Sequence, residues 1–387
     1  MAVQRVDPGG LDIASTTTLL LNGGFNNDNS LVGITNAAPA GRSNARAYTT
    51  SVANSFVGWW FTVGWQETIF AFAYYNPNAV FANNIRICNC QDGATTQVDC
   101  RTDATGHLFF TRNGTAIGSA STQVLNIVGW YIIQFRVKVD NSVGFAELRV
   151  KDPTGVTSTW LSVSGVDTQA TANASANRFY VISRNSGGNQ YWKDIVILDT
   201  GTGIYRDYLG DITVKTLYPR SGDATYQQWA PNTGTQVSCV QDGVTHTGTY
   251  PDGDTTFISD TVSGDISAFQ VDTLLQAGAI YGVVHAIYAR TASTGTINEV
   301  LVQSGAVVKT GSTITLTTSY LWYQDVSEQN PVGPATWSSM FVNMTHPGVK
   351  IQAASASARV SQELLMVIIS NDVAEISSQP HVWISTD

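Results

Sequence analysis

Apolar residues alternate with polar ones along this chain in short runs that Gly, Asn and Asp interrupt, and helical periodicity is almost absent. The pattern predicts an all-β protein. Residues 107–117, HLFFTRNGTAI, read as a hairpin, because Asn113-Gly114 suits a tight turn needing positive φ at both central positions. A second hairpin joins 130–139, WYIIQFRVKV, to 145–150, FAELRV, through Asp140, Asn141 and Gly144. In its first arm Ile133, Phe135, Val137 and Val139 share one face and Gln134, Arg136 and Lys138 the other, which predicts one buried and one wet face. Residues 178–183 and 191–199 follow as strands. The run Ile195 to Leu198 is apolar on both faces and fits a central strand of a two-layer sandwich.

The content of Gly and Thr in DTGTGIY, residues 199–205, places a domain boundary near 205. The expected organisation is an N-terminal arm (1–18), a first β-sandwich (19–204), a second β-sandwich (205–370) and a C-terminal arm (371–387). In the second half, strands are expected at 236–240, 268–275, 280–289, 299–302, 314–321, 349–351 and 364–369, while Pro219 and 221–232 lack periodicity. No repeat of solenoid length is visible.

Composition narrows the function. Charged residues form 13% of the 387, against about 25% in ordinary domains, so the surface is mostly neutral and polar. With 29 acidic and 20 basic side chains the chain lacks the positive field that nucleic acid requires. No stretch is apolar enough for membrane insertion, and the start, MAVQRVDPGG, has no signal-peptide core, so synthesis in the cytoplasm without secretion by that route is expected. Cys88, Cys90 and Cys100 cluster, with Cys239 apart. Either free thiols or a disulfide between Cys100 and one of the other two fits them. A zinc site with His107 would lack the usual CxxC spacing, so no metal and no cofactor is expected.

Glycoside hydrolysis needs two carboxyls about 5 to 10 Å apart. The six glutamates, Glu67, Glu147, Glu299, Glu328, Glu363 and Glu375, are dispersed, and Glu147 has no acidic neighbour on its strand. No GxSxG or HExxH motif occurs and the five histidines are scattered. The chain therefore reads as non-enzymatic. Sugar binding is better supported, because aromatic rings stack on sugar C–H faces and Trp59, Trp60, Trp65, Tyr74 and Tyr75 are close in sequence. Strand alternation sends Trp59 and Trp60 to opposite faces, making one a core residue and the other a candidate carbohydrate contact. Asp252-Gly253-Asp254 is a calcium candidate whose simpler reading is a solvated turn. The two arms, the C-terminal one with Trp383, are candidate assembly contacts.

Several segments resemble a known family. GHLFFTRNGTAIG (106–118), WYIIQFRVKVDNSVGFAELRV (130–150) and YWKDIVILD (191–199) are similar to the concanavalin A-like or laminin-G-like jelly rolls of tailed-bacteriophage virion structural proteins. So are the junction 205–235, the stretch PDGDTTFISDTVSGD (251–265) and NPVGPATWSSMFVNMTHPGVKI (330–351). The resemblance spans most of 20–351 and is most specific at the junction. It implies a structural component of the virion, in tail, baseplate, fibre, collar or head surface. Such a component would be built in the cytoplasm of a bacterial host as a homo-oligomer, a trimer being one arrangement, among other phage virion proteins, with host cell-surface glycans as a further contact. The alternative is a receptor-binding lectin recognising bacterial polysaccharide, and a weaker one is a polysaccharide depolymerase. Lys193-Asp194 replaces the family's acidic pair, so no calcium or sugar site is carried over.

Overall fold

The computed structural model of the chain describes residues 3–7, 25–28, 33–35, 42, 47–50, 56–76, 84–126, 129–182, 190–201, 204–241, 252–333, 336–353 and 357–371. Trp383 and most of both arms lie outside them. The protein is all-β, built from two β-sandwiches of antiparallel sheets. In the first, a jelly roll, one sheet runs Thr157–Val166, Gly144–Lys151, Trp130–Lys138, Glu67–Tyr75, Gln190–Asp199, Ala47–Thr50 and Gly33–Thr35. The strand Val3–Asp7, inside the expected arm, also pairs with Gln190–Asp199. The facing sheet runs Thr115–Ile117, Leu108–Arg112, Thr95–Thr102, Ile85–Asp92, Ala176–Ile182, Phe56–Trp65 and Phe25–Asp28.

The second sandwich sets Ala230–Pro231, Ile258–Asp260, Ala358–Ser370, Ile280–Thr291 and Leu321–Ser327, with Ile212–Leu217 also on Ala358–Ser370, against a five-stranded sheet. That sheet runs Pro219–Gln227, Ile266–Val271, Thr345–Ala353, Thr296–Gln303 and Ala306–Thr315. Among the described residues two helices of five residues each, Gln236–Val240 and Ser339–Asn343, complete it.

The hairpin turn at Asn113 (φ 45°) and Gly114 (φ 87°) forms as the sequence predicts. Three local readings are corrected. Residues 236–240 are helical, because Thr235 accepts from the Ser238 N–H while Ser238 bonds back to Thr235 N, a capping pair that outweighs short-range β propensity. Residues 314–321 span the end of one strand and the start of the next. The unpatterned 219–227 is a strand at the edge of its sheet, where pairing on one side suffices and polar residues are tolerated. Thr157–Val166 escapes sequence reading for the same reason.

The double-sided apolar character of Ile195 to Leu198 has a cause beyond the first sandwich. Phe70 meets Trp59 and Phe179 across the first core, so Ile69 and Ala71 point the other way, and Val196 and Leu198 pair with them in register. All four are fully buried and belong to one apolar cluster with Leu209, Ile212 and Val214. That cluster continues into the second sandwich through Val284, Ala286, Tyr288, Leu364, Met366 and Ile368, whose strand neighbours Val283, Leu365, Val367 and Ile369 point into the second core. The two sandwiches therefore share a core. Gln134, expected on a wet face, is likewise buried, accepting the Leu209 N–H at 2.8 Å from the connecting segment.

A bulge fastens this junction. Register breaks between Lys193 and Val196, and Asp194 adopts φ 52°. Its carboxylate accepts Arg42 Nε at 2.7 Å and the Val214 N–H at 3.0 Å. Arg42 also reaches Asp211 at 3.1 Å and the Ile212 carbonyl, and Asp211 receives Lys151 Nζ at 3.1 Å. Burial pushes the Asp211 carboxyl up, but Arg42, Asn371 and Lys151 hold it below the usual range. Burial drives the Lys193 ammonium down to about 8, against the pull of Asp194.

Two substitutions test this packing. Trp59→Ala should cost about 3–5 kcal/mol by emptying the first core, whereas Trp60→Ala should cost under about 1.5 kcal/mol; urea midpoints would decide. Asp194→Ala strands a buried guanidinium at the junction and should cost about 3 kcal/mol or more. Calorimetry would show it as a lowered midpoint or a transition split in two, and an unchanged single transition would remove the carboxylate from the junction's support.

Candidate functional site

In the sheet that contains Phe56–Trp65, one face builds the core and the other is polar. Val57, Trp59, Cys88, Cys90, Val98, Cys100, Phe110, Phe179 and Val181 form the core face. The opposite face is a row in direct register across five strands: Gly58, Tyr180, Asn89, Asp99 and Thr111. A flanking row pairs Trp60 with Arg178 and Arg178 with Gln91, and on the other side Arg86 pairs with Arg101 and Arg101 with Phe109. Glycine is required at 58, since a Cβ there would lie 2.2 Å from the Tyr180 ring.

Charge is concentrated on this face. Asp99 is fully buried and lies 2.8 Å from both Arg86 Nε and Arg101 Nη2, with Thr111 Oγ1 donating to it as well. Arg101 also donates to Asn84 Oδ1 at 2.9 Å. Arg178 lies 3.8 Å above the Trp60 ring centroid, a cation–π contact, and Trp60 Nε1 donates to Tyr180 Oη at 2.7 Å. Among the described residues Arg178 has no carboxylate partner. Three guanidiniums thus face one carboxylate, in a chain of net charge −9. Between Tyr180 and Asp99 sits Asn89, fully buried with neither Oδ1 nor Nδ2 hydrogen-bonded. An amide left so costs about 1–3 kcal/mol, and orphan groups of this kind recur at functional positions.

The residues singled out from sequence disperse. Trp59 is core, 1% exposed, and Trp60 is half-buried on the polar face. Cys88, Cys90 and Cys100 are buried free thiols on the core face, Cys88 directly opposite Cys100. Burial, with Cys100 beside it, pushes the Cys88 thiol well up, and burial raises Cys90 to about 12. His107 is not with them: its Nδ1 contacts the Ser121 carbonyl at 2.7 Å. Glu147 is held by Arg149 at 3.1 Å. Asp254 is bound by Arg290 at 2.5 Å and Arg359 at 2.8 Å, while Asp252 caps the following turn through Thr256. The aspartates of that loop are thus spoken for within the chain.

Two features were invisible in the sequence. His285, Glu299 and Glu363 come from three strands into the second core: His285 Nε2 lies 2.9 Å from Glu363 Oε1, and Nδ1 lies 3.9 Å from Glu299 Oε1. All three are 2% exposed or less, which closes them to any substrate. Burial, reinforced by Asp325 and Glu363, pushes the Glu299 carboxyl well up, and burial raises Glu363 against the pull of His285. The second feature is a cleft of about 390 Å³ on the second sandwich, lined by Arg220, Thr273, Ser304, Asn343, Met344 and His346 among others. His346 Nδ1 is 2.5 Å from Asp223. Beside the cleft, Asn343 bonds both the N–H and the carbonyl of Leu274, bringing the short helix against an exposed loop.

No protein-family model matches the chain, and no curated protein matches it. Among solved structures it is similar to Trypanosoma rangeli sialidase at 11% identity and a TM-score of 0.30, over 43% of this chain and 27% of that one. Peanut lectin aligns at 11% identity and 0.28, over 44% of this chain and 92% of the lectin. A GH131 β-glucanase catalytic domain from Podospora anserina aligns at 10% and 0.31, over 53% and 86%. All three likenesses are at low scores, and the fold stands on its own strand pairing.

The buried acids set a pH dependence. Glu299 and Glu363 bind protons more tightly folded than unfolded, so their favourable contribution is complete below the unfolded value of about 4.3 and is lost as pH rises through the raised folded values. Urea midpoints taken between pH 5 and 8 should therefore fall more in the native protein than in a Glu299→Gln, Glu363→Gln double variant. Parallel profiles would mean that these carboxyls titrate as if exposed.

Proposed function

We propose that the chain is a non-catalytic structural component of a tailed-phage particle, made in the host cytoplasm and assembled there as an oligomer with other virion proteins. The observation that supports this reading best is an exposed apolar patch on the second sandwich. Leu275 is 89% exposed and Met340 61%, and Met344, one helical turn from Met340, is 41% exposed. Leu275 follows the Leu274 that Asn343 clamps, which sets the loop carrying Leu275 beside the helix that carries Met340 and leads to Met344, next to the cleft. Clustered apolar exposure on an otherwise neutral polar surface marks a protein contact. The shared core supports the same reading, because a rigid two-sandwich body transmits load without a hinge.

A second reading, a lectin module contacting bacterial polysaccharide, is favoured by the half-buried Trp60 and its Arg178 stack. A depolymerase finds less support: the polar row offers a single carboxylate, Asp99, already engaged by two arginines and a threonine.

Assembly is tested by a Leu275→Asp, Met340→Asp double variant. The native protein should sediment as an oligomer and co-purify with tailed particles, and the variant should shift to monomer with an unchanged circular dichroism spectrum. A native chain that is monomeric at high micromolar concentration and missing from particles would overturn the reading.

A further inference from the structure

We propose that the polar face of the first sandwich binds an extended polysaccharide bearing carboxylate groups. This rests on the lectin reading of that face and names its ligand class. The argument starts from charge. Arg86, Arg101 and Arg178 stand on three adjacent strands with Asp99 as the carboxylate that faces them among the described residues, although the chain as a whole is acidic. A guanidinium presents a planar fork of N–H donors that matches a carboxylate edge on. Arg178 is the clearest such donor, since it is held flat on Trp60, lacks a carboxylate partner among the described residues, and is only partly buried.

Shape points to a polymer. Strands lie about 4.8 Å apart, so the five-strand row from Gly58 to Thr111, with Trp60 flanking one end and Phe109 the other, is about 19 Å across, too long for one sugar ring and suited to several in a line. Half-buried rings stand at both ends, Trp60 on Phe56–Trp65 and Phe109 on Leu108–Arg112, and each offers a flat apolar surface to sugar C–H groups. Between them the partly exposed Gln91 and Arg86 offer hydrogen-bonding groups, beside a buried row of Tyr180, Asn89, Asp99 and Thr111. Asn89 is the independent sign. Its buried amide has neither partner satisfied, although every neighbour in the row is bonded, and the unmet donor and acceptor lie in the middle of the track.

The test uses the full chain and affinity electrophoresis through gels containing polygalacturonate, alginate, neutral dextran or dextran sulfate. Polygalacturonate or alginate should retard the protein, dextran should not, and dextran sulfate, which carries a denser charge but no sugar carboxylate, should do so at least tenfold more weakly if the face reads uronate groups rather than charge alone. Trp60→Ala and Arg178→Gln should each weaken retardation by about tenfold or more, while Arg149→Gln, on the facing sheet of the first sandwich, should leave it unchanged. Because Trp60→Ala could loosen the sheet, Arg178→Lys provides a fold-neutral arm: it keeps the charge, loses the fork, and should still weaken binding at least threefold. Absence of retardation by both uronate polymers, equal retardation by dextran sulfate, or full binding by Arg178→Lys and Arg178→Gln would each overturn the proposal. Sedimentation of the same samples keeps the two readings apart, since loss of sugar binding with the oligomer intact sinks this proposal alone, and a monomer that still binds uronate sinks only the assembly reading.

Discussion

The buried carboxylate of Asp194 is the constraint on which the arrangement of the two sandwiches depends. A strand that continued straight through 193–196 would pass the junction with its hydrogen bonds spent inside its own sheet. The bulge, with Asp194 at φ 52°, turns that side chain out of the ladder so that it meets both Arg42 and the Val214 N–H of the next sandwich. Because the site is desolvated, each partner is obligatory: an ion removed from water is tolerable only where counter-charge and donors are already in place. Arg42 supplies the charge, and Asp211, Lys151 and Asn371 complete the network around it.

Much of this was legible in the sequence, for reasons that particular residues make plain. The hairpins at Asn113-Gly114 and at Asp140 to Gly144 could be read because turn chemistry and alternation act locally. The opposition of Trp59 and Trp60 followed from strand geometry alone. What could not be read was, with one exception, fixed by pairing between distant segments. The exception is Gln236–Val240, helical through a local Thr235–Ser238 cap that competes with its β-forming composition; Pro219–Gln227 has no alternation because an edge strand needs none. The burial of Gln134 depends on Leu209, and the meeting of His285 with Glu299 and Glu363 depends on three strands from two sheets. No spacing rule reaches across such separations.

The candidate site divides the same way. Trp60 was found because aromatic clustering is visible in one dimension. Asp99, Arg86, Arg101 and Asn89 were overlooked, since each is unremarkable beside its own neighbours and becomes meaningful only when antiparallel register lays them in a line. The single signal available was the period of two between Asp99 and Arg101 in VDCR, which the nearby cysteines drew toward a redox or metal reading; Arg86 and Asn89, three apart in RICNC, share the face only through a bulge between Arg86 and Cys88.

The shared core bears on how the molecule can be taken apart. Ile69, Ala71, Val196 and Leu198 are covered only when the second sandwich is present. A fragment ending at the boundary near 205 would turn that dry sheet face toward water, and the natural remedy for such a surface is to stick to another copy of itself. Dissection into halves would therefore yield aggregates whose stickiness says nothing about the biology of the intact chain.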